Sequence, residues 1–271
     1  MTGMQTDELC QKVCGICRET GTFLKERSGK LSRRDVFLKA HNDFVTEVDR
    51  QSEQKLVKAL QKLMPEAGFI TEEKTLELSG REYEWIIDPL DGTTNFIHGV
   101  PLYCISIALR RQEDIIMGVI YEPWQDECFY TWEGAPSFLN KQIIRVSECA
   151  ELSGSLIATG FPNRDYSRMK EYMELLNDLM FSCHGIRRLG SAAVDLAYVA
   201  CGRFEAFYEY YLSPWDVAAG AILVKNAGGT VSDFSGGENY LFGREIIASA
   251  PAVHQELLDR LNLFFGGTKT V

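Results

Sequence analysis

The sequence predicts a mixed α+β fold with β-sheets layered against helices, and three observations carry that prediction. Between residues 68 and 132, short runs rich in β-branched and aromatic residues follow one another between turn residues, the pattern of antiparallel neighbours. Beyond residue 145, strand-like and helix-like segments alternate. The 271 residues suffice for one large domain or two smaller ones, and they hold neither a solenoid-type repeat nor a low-complexity tract. A boundary near residue 145 divides the chain into an α+β part, 1–145, and an α/β part, 146–271.

Taken in order, the first element is a helix. Leu9, Val13, Ile16, Thr20, Phe23 and Leu24 form an apolar stripe at helical spacing that ends near Gly29. Cys10, Cys14 and Cys17 lie within it. Radical S-adenosylmethionine enzymes hold an iron–sulfur cluster with that spacing, but on a loop that follows a strand. The same offsets place all three thiols on one helix face, where free cysteine acts as a small buried hydrophobe. After a polar stretch to Asn42, a second helix is predicted from Asp49 to Leu63, stopped by Pro65. Strands follow at 68–71, 83–88, 104–110, 115–121 and 128–132. In the second half, strands are predicted at 155–160, 204–208, 230–234 and 245–249. Helices are predicted at 168–181, 190–201, 215–227 and 252–264, with Gly228-Gly229 ending the third.

A formal net charge of -10 argues against a nucleic-acid binder, and the densest basic run, Lys30 to Lys39, reads as a solvated segment. Residues 1–7 lack the features of a signal peptide, and no apolar run approaches the ~18 residues of a membrane span. Eight scattered cysteines without a secreted-type framework predict reduced thiols in the cytoplasm. The expected partner is a small molecule, with no nucleic acid and no membrane.

The string Trp85-Ile86-Ile87-Asp88-Pro89-Leu90-Asp91-Gly92-Thr93-Thr94-Asn95-Phe96 is the most informative. A buried strand delivers Asp88, the chain turns at Pro89, and Asp91 falls where a helix could begin. Two carboxylates three residues apart across such a turn can converge on one cation. Gly92 lets the backbone approach a ligand, and free N–H groups at a helix start hold phosphate. A plain strand–turn–helix corner with Asp91 as N-cap is the alternative. Three other carboxylates are more ambiguous. Glu72, beside Glu73, could be a solvated surface residue. Asp49 could be an N-cap. Asp216, with Ser213 and Pro214, could belong to a capping box or bring a third carboxylate to the cation site.

Together these pieces resemble the inositol monophosphatase family. The strings 43–49, 70–73, 85–96 and 215–216 are similar to its four signature blocks, in order, and 184–194 and 227–229 resemble later ones. The resemblance covers roughly residues 8 to 265 and implies the layered αβαβα sandwich of inositol monophosphatases and fructose-1,6-bisphosphatases. By position it assigns one Mg²⁺ to Glu72, Asp88 and the Leu90 carbonyl, a second to Asp88, Asp91 and Asp216, and a weaker third to Glu72. Asp49 and Thr93 would activate the attacking water, with Glu72 beside them in the catalytic set. Gly92, Thr93, Thr94, Ser191, Ala192 and Glu209 would contact the substrate. The 1–145 part would then hold most metal ligands, and 146–271 would contribute Asp216 and substrate contacts. The implied enzyme is a homodimeric Mg²⁺-dependent hydrolase of small anionic phosphate esters, inositol monophosphate foremost. One cation would acidify the attacking water and another would stabilise the leaving alkoxide.

One departure concerns Thr71, where the family usually has Gly, since a β-branched residue restricts the backbone before Glu72. Related branches act on 3′-phosphoadenosine nucleotides, histidinol phosphate or fructose 1,6-bisphosphate. The first two usually replace the second Thr of the Asp-Gly-Thr-Thr string by Lys, so Thr94 favours the inositol type. A non-catalytic metal-binding relative is disfavoured by intact Asp88, Asp91, Thr93 and Asp216.

Overall fold

The computed structural model describes residues 6–30, 36–40, 43–76, 78, 80–161 and 165–266, with the backbone alone for 36–40 and 43–46. The short strands β1 (Val36–Ala40) and β2 (Asp43–Thr46) pair with each other antiparallel. A seven-stranded sheet takes the order β3 (Gly68–Thr71), β4 (Tyr83–Asp91), β5 (Cys104–Arg111), β6 (Asp114–Glu122), β7 (Glu127–Trp132), β8 (Phe138–Leu139), β9 (Gln142–Ile143). β3 runs parallel to β4, and every later neighbour is antiparallel. A second sheet of five strands comprises β10 (Leu156–Thr159), β11 (Gly185–Arg187), β12 (Ala206–Tyr210), β13 (Thr230–Ser232) and β14 (Glu245–Ser249), in the order β11-β10-β12-β14-β13.

The helices fall into three layers. α1 (Thr6–Arg27) and α2 (Glu47–Leu63) pack on one face of the larger sheet, and the short α3 (Thr93–Ile97) follows β4. α4 (Met169–Ser182) and α7 (Pro251–Phe265) cover the outer face of the smaller sheet. α5 (Ala192–Ala200) and α6 (Pro214–Asn226) fill the space between the two sheets. The two-residue period of the strands makes this possible. Trp85, Ile87, Ile105, Ile107 and Leu109 face the α1–α2 core, while Ile86, Cys104 and Ala108 face α5 and α6. Strands covered on both faces read as nearly continuous apolar runs. The architecture is the layered αβαβα sandwich expected.

Differences from expectation are local. The predicted polar stretch before Asn42 contains β1, and the side chain of Lys39, at the end of the basic run, lies outside the described residues. β8, β9 and β11 are two or three residues long, too short for alternation to register. β4 continues through Pro89 to Asp91. The proline is tolerated because pairing with β3 ends at Thr71 and Ile87, and the register with β5 shifts between Asp88 and Asp91.

Cys10, Cys14 and Cys17 are buried in α1, as the amphipathic-helix reading requires. Burial and neighbouring thiols raise the pKa of Cys17, and the same two influences, thiol contacts first, raise those of Cys14 and Cys128. They stay protonated and pack as hydrophobes. No described helix is long and apolar enough to cross a membrane.

Candidate active site

The site forms where β4 leaves its sheet. Asp88 is 2% exposed, and its Oδ1 accepts the Leu90 N–H at 2.9 Å, which closes the turn and returns Asp91 to its side. Asp91 Oδ2 accepts from Ser191 Oγ at 2.6 Å and Ala193 N at 2.7 Å, so the start of α5 holds that carboxylate. Asp216, in the first turn of α6, accepts the Ser213 N–H at 2.6 Å. Each of Asp88, Asp91 and Asp216 offers one oxygen, and these oxygens lie within 4.8 Å of one another. Among the described residues this is the one group of three or more His, Cys, Asp or Glu side chains so placed.

The capping alternatives now separate. Gly92, with φ 96°, is the N-cap of α3, so Asp91 is not. Its left-handed backbone suits glycine, and a Cβ there would lie 3.2 Å from the Leu102 carbonyl oxygen. α2 begins at Glu47, so Asp49 lies inside the first turn and does not cap it. Asp216 serves both readings: its carboxylate caps the chain at Ser213 and also joins the cluster.

Glu72 follows β3, with its N–H directed to the Ile87 carbonyl at 3.3 Å, and lines the same cleft outside the triad. Burial, followed by the charges of Glu72, Asp91 and Asp216, pushes Asp88 well above the usual carboxylate range. Asp91 is raised by burial against the opposing hydrogen bonds of Ser191 and Ala193. Carboxylates that raise one another in this way call for positive charge, and an all-oxygen donor set suits Mg²⁺. The donors therefore fit the cation that the resemblance implies.

Behind the cleft, Thr93 Oγ1 lies 3.0 Å from Asp49 Oδ1 and 3.0 Å from the Leu90 carbonyl oxygen. A hydroxyl has one proton, so donation to Asp49 frees the Leu90 carbonyl for another partner. Asp49 itself is 1% exposed. Two more side chains on the same face of α2 fasten the site. Ser52 Oγ donates to the Pro89 carbonyl at 3.0 Å. Glu53 is fully buried and accepts from Glu73 N at 2.7 Å, Thr75 N at 2.8 Å and Thr75 Oγ1 at 2.7 Å. These bonds offset the cost of burying a carboxylate and fix the backbone beside Glu72.

Thr94, Ser191, Ala192 and Glu209 line the cleft, as the resemblance implies for substrate contacts. Burial, helped by the charges of Asp216 and Asp91 and opposed by Arg188, lifts Glu209 to about 8. The motifs above do not mark Phe161, Asp195 or Tyr211, which also line the cleft with Arg188 and Trp215 from the 184–194 and 215–216 strings, nor the buried Ser52 and Glu53. Two signals were available: Glu53 lies one helical turn after Asp49, and Asp195 is the lone charge in the otherwise apolar α5.

Comparison with known proteins bears on the family and the fold. Residues 5–262 match the inositol monophosphatase family. An inositol-1-monophosphatase of Mesorhizobium japonicum is 41% identical over 241 residues, covering 89% of this chain and 91% of the relative. The Nus factor SuhB of Escherichia coli is 43% identical over 242 residues, covering 89% and 91%. A solved Thermotoga maritima IMPase superposes with a TM-score of 0.87 at 34% identity, covering 97% of this chain and 99% of its own.

Proposed function

The chain belongs to the inositol monophosphatase family, and we propose that this phosphatase hydrolyses inositol monophosphate or a closely similar polyol phosphate with Mg²⁺. The observation that carries the reading is the convergence of Asp88, Asp91 and Asp216 within 4.8 Å, beside the Thr93–Asp49 pair. Asp88, Asp91 and Asp216, with Glu72 and the Leu90 carbonyl, would hold two or three cations. Bound there, Mg²⁺ supplies the positive charge that keeps the carboxylates ionised and balances the charge of the phosphate.

The chain's own groups divide the remaining work. The Gly92 and Thr93 N–H groups hold phosphate oxygens. Thr93 Oγ1 donates to Asp49 Oδ1 at 3.0 Å, which turns a lone pair outward to accept a proton from the attacking water. Thr94, Ser191, Ala192 and Glu209 orient the alcohol part of the ester. No side-chain nucleophile and no covalent phosphoenzyme are needed. Thr94 weighs against a 3′-phosphoadenosine substrate, and fructose 1,6-bisphosphate is the competing ester. A cytoplasmic homodimer is part of the same proposal, supported by the family resemblance and by cysteines without a secreted-type framework.

The 43% identity to a relative called a Nus factor supports a second, compatible reading: a role of that kind separate from hydrolysis. The deciding experiment is phosphate release from a panel of esters with Mg²⁺ added or chelated. Inositol 1-phosphate should be turned over with higher kcat/KM than 3′-phosphoadenosine 5′-phosphate, and chelation should abolish release. Full activity after exhaustive chelation refutes the metal reading, and preference for the nucleotide refutes the substrate. Inactivity on every ester leaves the Nus-factor-type reading standing.

A further inference from the structure

We propose that Asp195 is a specificity-determining residue, exchanging a hydrogen bond with a hydroxyl of the substrate's alcohol part; this rests on the polyol-phosphate reading above. α5 consists of small and apolar residues, all buried in the layer between the sheets, with Asp195 as its single charged member. Asp195 is 1% exposed and lines the cleft, and its Oδ1 has no hydrogen-bond partner among the described residues. A buried carboxyl oxygen left unpaired is costly, and a ligand's hydroxyl would offset that cost on binding.

The surroundings say what kind of ligand fits. Glu209 faces the same cleft from β12, and the wall opposite is cut back for it: a Cβ on Gly160 would lie 2.0 Å from the Glu209 carboxyl. Burial, the charge of Glu209 and that of Asp91 raise Asp195 well above its ordinary range, with Arg188 opposing. Among the described residues, Asp195 and Glu209 belong to no three-ligand cation group. A sugar or polyol hydroxyl suits either protonation state, because a carboxylate accepts from it and a neutral acid both accepts and donates.

The test compares kcat/KM on inositol 1-phosphate with that on phenyl phosphate, whose alcohol part carries no free hydroxyl. Asp195→Ala should lose about 10- to 100-fold on inositol 1-phosphate, the usual worth of a hydrogen bond to a charged group. It should stay within about twofold on phenyl phosphate, with an unchanged Mg²⁺ half-saturation. Asp195→Asn, which still accepts and donates, should restore most of the loss. Asp195→Leu keeps the volume in an apolar layer and carries the same expectation as alanine if that variant folds poorly. Equal losses on both substrates, or none on inositol 1-phosphate, overturn the assignment. Wild-type protein that hydrolyses phenyl phosphate but not inositol 1-phosphate overturns the polyol reading instead, and the assignment with it.

Discussion

Two regions of this molecule gather metal-binding residue types, and they are opposites. At the end of β4, Asp88, Asp91 and Asp216 bring oxygens within 4.8 Å of one another. Between α1 and β7, Cys10, Cys14, Cys17 and Cys128 gather in the core. Burial raises the pKa in both places. The consequences differ because the ordinary states differ. A carboxyl is charged at neutral pH, so raising it stores a demand for a cation. A thiol is already neutral, so raising it removes the thiolate that would bind metal or react. The same residue-type signal marks a site in one region and packing in the other.

The largest effect that could break this contrast is at Asp88, the most buried of the triad and repelled by Glu72, Asp91 and Asp216. Asp88→Asn should lower kcat/KM by roughly 10³-fold, the several kcal/mol that charge stabilisation at such a centre supplies. Steady-state phosphate release across Mg²⁺ concentrations measures it, and a loss under about tenfold would mean the cluster is not where charge is balanced.

Next in size is the pair behind the cleft. Asp49→Asn and Thr93→Ala should each lower kcat by about 10²-fold, with the Mg²⁺ dependence changed much less. The double variant should be scarcely worse than either single one, since groups acting as a unit fail together. Multiplicative losses would show that the Asp49–Thr93 bond at 3.0 Å is structural only.

The contrast also explains what the sequence made legible. The long periodic elements were readable, because burial on two sheet faces and one helix stripe writes a period into the chain. So was the convergence of Asp88 and Asp91, since one turn joins them. Ser191 and Ala193, which hold Asp91, lie 100 and 102 residues away from it, and only tertiary packing brings them there. Glu53 was hidden for a different reason: a glutamate on a polar-faced helix looks solvated until its three backbone and hydroxyl partners are seen. Asp195 is hidden inside an apolar helix whose other residues explain themselves by packing.

Glu53 sharpens the carboxylate side of the comparison, because it is a buried acid satisfied by donors and so needs no cation. Glu53→Gln turns an amide toward N–H donors and should loosen the segment after Glu72. The expected outcome is a several-fold, roughly 3- to 10-fold, rise in the Mg²⁺ needed for half-maximal rate, with kcat at saturating Mg²⁺ nearly kept. A fall in kcat with unchanged Mg²⁺ dependence would separate Glu53 from the metal site.

Smaller still is a pH effect on metal-free protein. Glu209 moves from 4.5 to about 8 on folding, so the folded state holds its proton more tightly than the unfolded chain. Its stabilising contribution is full below about 4.5 and is lost as pH rises through about 8. Metal-free protein should therefore melt at lower temperature near pH 9 than near pH 5, and Glu209→Gln should flatten part of that slope. A slope unchanged by the substitution would mean that Glu209 does not titrate in this window.

The smallest expected effect on activity lies in the thiol region, where the comparison is most easily broken. If Cys17 is only a buried hydrophobe, Cys17→Ala should leave kcat/KM within about twofold and cost stability modestly, about 1 kcal/mol for a small cavity. Cys17→Ser places a stronger hydrogen-bonding group in the same apolar spot and should cost more, about 1–3 kcal/mol, again without loss of activity at temperatures where the protein stays folded. Thermal unfolding and phosphate release, run on the same preparations, distinguish the two terms. Visible absorption from bound iron in the wild type, lost on substitution at Cys17, would place a metal in the thiol cluster. Burial would then have failed to tell a core from a site.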